Sequence, residues 1–184
     1  MSERGRDLSA SVVRFVSLAL GLALGGVFVY AGIQKHLAPY EFAEAVQVYQ
    51  LLPPALVGLT AAVFPWLELT SGAFLIIGIL MKAEGCLAFG CSRPGVRAMD
   101  GILTRRSSLL LIMLQMGIFM LVLLITMARG LKIDCGCGLF ADRQVGAVAI
   151  LEDVLLLGAA GWLYWREGKA EGREEGLFIP VRSE

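Results

Sequence analysis

Apolar side chains dominate four stretches of the chain, roughly Ser11 to Gln34, Ala55 to Met81, Ser107 to Gly130 and Val145 to Trp165. Each is close to the ~20 residues an α-helix needs to cross the hydrocarbon of a bilayer. The pattern therefore predicts an all-α integral membrane protein. It is read as one four-transmembrane-helix bundle over residues 1–184, with spans at about 11–34, 55–81, 107–130 and 145–165 and a tail over 166–184. Between the first two spans, Pro39 signals a helix start, and Pro53 with Pro54 signals a stop. Phe42, Val46 and Tyr49 recur there at helical spacing opposite Glu41 and Glu44. That periodicity predicts a short helix lying in the membrane interface, anchored by Tyr40 and Tyr49. The glycine-bearing, basic segment from Lys82 to Arg106 is read as a connection with little regular structure.

Composition agrees with the pattern. In 184 residues, 57% are hydrophobic and the mean hydropathy is +0.73, which leaves no separate soluble domain once four spans are assigned. The apolar run from Val12 is longer than a signal-peptide core and lacks a small-x-small cleavage site, so it is expected to persist as the first helix. With the amino terminus inside, twelve of the sixteen lysines and arginines fall on the inner side. The positive-inside rule then places both termini in the cytoplasm of a bacterium, in a multi-pass protein of the cytoplasmic (inner) membrane. The formal net charge is zero, and nothing suggests nucleic acid as a partner.

Several ionisable groups fall inside the oily runs. Glu68 follows Pro65, which should bend its helix, by three residues. Glu152 and Asp153 enter the last span about two turns from its outer end. A charge within hydrocarbon is costly enough that it is expected to face the bundle interior and find a partner there. Neighbouring residues diverge by about 100° around a helix, so Glu152 and Asp153 share an interior site only if that site is polar. Two roles remain open for these carboxyls, hydrogen bonding between helices and proton handling. Ser17, Gly21 and Gly25 form a small-xxx-small stripe that predicts close approach of a neighbouring helix.

The segment "KIDCGCGLFADR", Lys132 to Arg143, places Cys135 and Cys137 in the connection between the third and fourth spans, on the outer, oxidising side. Two cysteines one residue apart close a very small ring, and Gly136 is the residue that tolerates the distortion. A strained bond of this kind is easily reduced, which suits a pair that passes oxidising equivalents onward. Lys132 and Arg143 favour a thiolate and Asp134 opposes it. Metal binding by the two thiols with His36, the only histidine, is a second reading, although a closed zinc site wants four ligands; no metal site is assigned. Incidental thiols are a third. Cys86 and Cys91 have four residues between them, a spacing that fits neither a thioredoxin motif nor a common zinc knuckle, and are expected to be inert.

Three segments together carry a family resemblance: "YAGIQKHLAPYEFAEAVQVYQLLP", "PWLELTSGAFLIIG" and "DCGCGLF" before the last span. The chain resembles the MauE family, membrane proteins of methylamine utilisation operons within the broader DoxX-like group, over roughly Ser11 to Trp165. The resemblance implies a four-helix bundle whose outward dithiol works in disulfide formation or exchange. MauE is linked to maturation of a disulfide-rich dehydrogenase subunit, and its relatives neighbour or fuse to thioredoxin-like proteins. Carried over, Cys135 and Cys137 match the redox pair, and Lys35 and Glu68 match motif positions. The chain departs from the pattern in its longer second connection and in "LEDVLL", where an arginine before the aspartate is common.

The expected function is thus a membrane thiol–disulfide redox protein. Cys135 and Cys137 are the catalytic pair, and Lys35, His36, Glu68, Asp134, Glu152 and Asp153 are supporting residues. Its expected partners are the lipid bilayer and a periplasmic thioredoxin-like or substrate protein, with a quinone as electron acceptor by analogy with other membrane thiol oxidases. Two alternatives stand beside it: a non-catalytic subunit anchoring a larger respiratory or sulfur-oxidising membrane complex, and a metal-handling membrane protein.

Overall fold

A computed structural model describes residues 3–87, 105–130 and 147–175. Among the described residues the chain is entirely helical: α1 (Glu3–Leu37), α2 (Pro39–Val48), α3 (Pro54–Leu87), α4 (Arg105–Ala128) and α5 (Ala147–Glu175). Among the described residues three helices are long and apolar enough to cross a membrane, over Ser11–Leu37, Pro54–Leu80 and Arg105–Ala128. The fourth expected span falls on α5. That helix carries Glu152 and Asp153 near its start and Arg166, Glu167 and Lys169 further along, and these charges dilute its apolar character.

Leu24 and Phe28 of α1, Leu75 and Ile79 of α3, Leu109, Ile112 and Met116 of α4, and Ala160 and Leu163 of α5 form a single buried core. Around it the exterior is oily, with Phe15, Leu59, Trp66, Leu114, Leu121 and Leu155 all more than half exposed. An apolar outside over a small apolar inside is the arrangement that lipid rewards. Hydrocarbon offers no hydrophobic drive between helices, so association rests on close packing and interhelical polar contacts.

The closest packing is between α1 and α3. A Cβ built on Gly72 would lie 2.6 Å from the Gly25 carbonyl oxygen, and one on Gly32 would lie 2.9 Å from the Leu69 nitrogen and 3.0 Å from the Pro65 carbonyl oxygen. These are backbone atoms that no rotamer change moves. The seam therefore runs through Gly25, Gly32 and Gly72, further along α1 than the expected Ser17, Gly21 and Gly25 stripe. A Cβ on Gly21 would meet side chains in place of backbone, Ile79 Cδ1 at 2.7 Å and Leu163 Cδ1 at 3.9 Å, and the Ser17 hydroxyl donates to its own helix at the Arg14 carbonyl, 2.9 Å away.

The short helix expected after the first span is α2, with Pro39 at its start. Tyr40 is 85% exposed, as an interfacial anchor should be, but Tyr49 is only 6% exposed and belongs to the protein interior. The segment after Met81 also differs from the expectation of an irregular connection, because α3 continues through Cys86 to Leu87. Lys82, Ala83 and Glu84 are good helix formers, and residues beyond the hydrocarbon edge extend a helix readily. Gly130, at φ +69°, takes the left-handed conformation common where a helix ends and closes α4.

At the opposite end from Lys35, cations lie against aromatic rings and carboxylates. Arg106 sits 4.7 Å from the Tyr164 ring, Lys169 3.7 Å from Trp165, and Arg105 pairs with Glu167 at 2.8 Å. Such belts of amphipathic rings and cations suit a membrane–water boundary.

Candidate functional site: a polar cavity among four helices

Each long helix sends one polar side chain to a common cavity of about 50 Å³: Lys35 from α1, Glu68 from α3, Gln115 from α4 and Asp153 from α5. Apolar walls complete it, including Phe28, Phe64, Met116 and Phe119. A polar centre that draws on four elements is a product of the tertiary fold and of no local segment.

Lys35 and Glu68 make its most strongly bonded contact. The ammonium Nζ donates to both carboxylate oxygens, at 2.8 Å to Oε1 and 2.7 Å to Oε2, and the residues are 6% and 8% exposed. The Phe42 ring of α2 lies 5.4 Å from the same ammonium, so α2 covers the pair with an aromatic face. Charges this far from water persist only when paired and hydrogen-bonded. The expectation that Glu68 faces inward and finds a partner is met by Lys35, 33 residues away in sequence.

Gln115, which sequence reasoning passed over, is 4% exposed. Its Nε2 donates to the Leu67 carbonyl at 3.3 Å and to Ser71 Oγ at 3.4 Å, and Ser71 Oγ donates in turn to the Glu68 carbonyl at 3.1 Å. A short polar chain thus ties α4 to the turn of α3 that presents Glu68. The one signal for it in sequence is a lone amide within "LLLIMLQMGIFM", which in hydrocarbon calls for a partner on another helix.

Of the adjacent carboxylates, Asp153 lines the cavity and Glu152 does not, as the 100° turn between neighbours allows. His36 stands next to Lys35 but serves a different contact. Its Nδ1 lies 2.8 Å from the Gly32 carbonyl oxygen, and since a carbonyl only accepts, Nδ1 carries the hydrogen there. The ring meets Trp66 edge to face, with centroids 4.7 Å apart. Arg129, at the end of α4, donates to the Tyr49 carbonyl at 3.0 Å, which pins α4 to the turn between α2 and α3. Asp134, Cys135, Cys137 and Cys91 lie outside the described residues. Among the described residues no group of three or more His, Cys, Asp or Glu side chains could hold a metal ion.

A helical bundle with an oily exterior, three membrane-length helices and an interior ion pair defines an integral membrane protein with a buried polar site. Residues 13–92 and 98–166 match the family described as methylamine utilisation protein MauE, and the chain belongs to that family. No match to a curated protein or to a solved structure was found.

Proposed function

We propose that the chain is a thiol–disulfide redox protein of the bacterial cytoplasmic membrane, with α5 as a fourth span and both termini in the cytoplasm. Cys135 and Cys137 exchange disulfides with a periplasmic thioredoxin-like or secreted protein. A thiolate of the partner attacks the Cys135–Cys137 disulfide, one S–S bond breaks and a mixed disulfide forms, and the partner's second thiolate then releases the reduced pair. Reoxidation passes two electrons and two protons to a quinone. Two S–H bonds break, one S–S bond forms, and the quinone oxygens gain two O–H bonds.

One observation carries this reading. Cys135 and Cys137 stand one glycine apart between α4 and α5, a spacing that suits an easily reduced pair, and the α4 end before them, where Arg129 donates to the Tyr49 carbonyl, lies at the Lys35 end of the bundle. Family membership supports the setting of methylamine utilisation.

Cys137→Ser tests the exchange step. Under oxidising conditions it is expected to accumulate a covalent adduct between Cys135 and a periplasmic protein, seen as a reductant-sensitive band, and the Cys135→Ser/Cys137→Ser protein should show none. Absence of any adduct in cells that make the protein in quantity would overturn the reading. Topology is checked separately with an impermeant maleimide on spheroplasts. Cys135 and Cys137 are expected to label from outside, whereas a thiol introduced by Ser183→Cys into a background lacking the others should label only after permeabilisation. Tail labelling in sealed spheroplasts would refute a fourth span with an inside carboxyl terminus.

A further inference from the structure

Gln115 Oε1 is buried and accepts no hydrogen bond from the described residues. The amide orientation is fixed, because Nε2 faces the Leu67 carbonyl, which accepts only. The acceptor is therefore aimed elsewhere, and an acceptor left empty at that depth would destabilise the fold by about 1–3 kcal/mol. The Lys35 ammonium is held by the two Glu68 oxygens. The cavity that Gln115 lines is the place among the described residues where a donor can stand.

Size decides what that is. The cavity measures about 50 Å³. A water molecule occupies roughly 30 Å³, and an apolar cavity that accepts a benzene ring is about 150 Å³. Water fits, whereas an aromatic or quinone ring does not, which also separates this cavity from the place where a quinone would be reduced. A metal cation is disfavoured, since the Lys35 ammonium already supplies the positive charge beside Glu68.

We propose that this cavity is a hydrated proton-exchange site: water bound at Gln115 Oε1 bridges the Lys35–Glu68 pair of α1 and α3 to Asp153 of α5. Water is the small ligand that both donates to the amide oxygen and relays a proton. In each transfer one O–H bond breaks at the donor carboxyl or water and one forms at the acceptor, so Glu68 and Asp153 exchange a proton with no change in net charge of the site. The titratable groups facing the cavity are Lys35, Glu68 and Asp153. From α2 the Phe42 ring faces Lys35, and His36 is turned to Gly32 and Trp66. The proposed thiol chemistry gives these protons a destination, since the quinone needs two, but the water site itself stands without it.

The test uses the full chain in lipid nanodiscs and radiolytic footprinting, in which hydroxyl radicals made from bound water oxidise the side chains beside it. Met116 lines the cavity and is 7% exposed, while Met113, one turn away on α4, packs against the core outside the cavity lining. Met116 is expected to oxidise several-fold faster than Met113 despite its burial. Gln115→Leu should bring the two rates together, and Ala31→Val, which fills the cavity and keeps the amide, should do the same if the first variant folds poorly. Infrared spectroscopy in D2O reads the relay: the protonated-carboxyl band should lose intensity in Asp153→Asn, and its deuterium exchange should slow several-fold in Gln115→Leu or Ala31→Val. Equal oxidation of the two methionines in the native protein, or unchanged exchange in both variants, overturns the proposal. The Cys135→Ser/Cys137→Ser protein must keep both signatures, so a failure of thiol trapping and a failure of the water site are told apart.

Discussion

Lys35→Met is expected to destabilise the protein by about 3–5 kcal/mol, because it strands the Glu68 carboxylate in a site built for an ion pair. Glu68→Gln should be milder. The amide oxygen still accepts from the ammonium, but the positive charge loses its counter-ion. The informative construction is the double variant Lys35→Met/Glu68→Leu. It removes both charges and replaces them with apolar volume, and replacing a buried pair in this way is often neutral or stabilising. The double variant is therefore expected to recover most of the stability lost in Lys35→Met, giving a strongly favourable coupling in the mutant cycle. Unfolding in mixed micelles, followed by loss of helical circular dichroism, measures the native chain, Lys35→Met, Glu68→Leu and the double variant, the four corners of the cycle, with Glu68→Gln alongside. Equal stability of Lys35→Met and the native chain would mean that the pair is not formed in the membrane. A double variant that is stable yet inactive in disulfide exchange would show that the charges are kept for function.

The parts of this arrangement differed in how plainly the sequence announced them. Apolar runs of near-membrane length marked the long helices, and Pro39 with the Pro53–Pro54 stop bracketed α2, since each of these is a local property of the chain. Charges in hydrocarbon were legible for the same reason: Glu68 and the Glu152–Asp153 pair stand out against their neighbours, whereas Lys35 falls just past the first apolar run and was marked by the family resemblance. Their convergence was not, because it depends on the register of α1 against α3 and on where α4 and α5 close the bundle. Gln115 was missed because a neutral amide in an oily run carries no charge to draw the eye, although in lipid its bonding needs are nearly as strict. Tyr49 was misplaced for a related reason. Periodicity put it on the face of an interfacial helix, whereas it lies just beyond the end of α2, where its carbonyl accepts from Arg129. The CGC pair was the clearest chemical signal in the sequence, and the role proposed for it rests on its spacing and on the family resemblance.

Gly72→Leu is expected to be the most disruptive small change on the α1–α3 seam. A Cβ at Gly72 already meets the Gly25 carbonyl oxygen at 2.6 Å and the Val29 nitrogen at 2.9 Å, so even Gly72→Ala forces the helices apart, at a cost of about 1–3 kcal/mol for overpacking of this kind. Leucine adds a branched side chain to the same point and should prevent docking altogether. The consequence reaches the polar site through helix geometry. Gly72 lies four residues after Glu68 and Gly32 three residues before Lys35, so the glycines and the ion pair occupy the same faces of the two helices. A wider seam stretches the 2.7 Å Lys35–Glu68 contact. Part of the loss in Gly72→Ala is therefore loss of the pair, and the substitution should be less harmful in the Lys35→Met/Glu68→Leu background, where no pair remains to stretch. Gly26 provides the control. Nothing lies within 4 Å of a Cβ built there, and Gly26→Ala should change stability by no more than about 1 kcal/mol, the size of the helix-propensity difference between the two residues. Should Gly72→Ala prove as benign as Gly26→Ala, the two helices do not touch backbone to backbone, and the distance that holds Lys35 to Glu68 must be set by something other than these glycines.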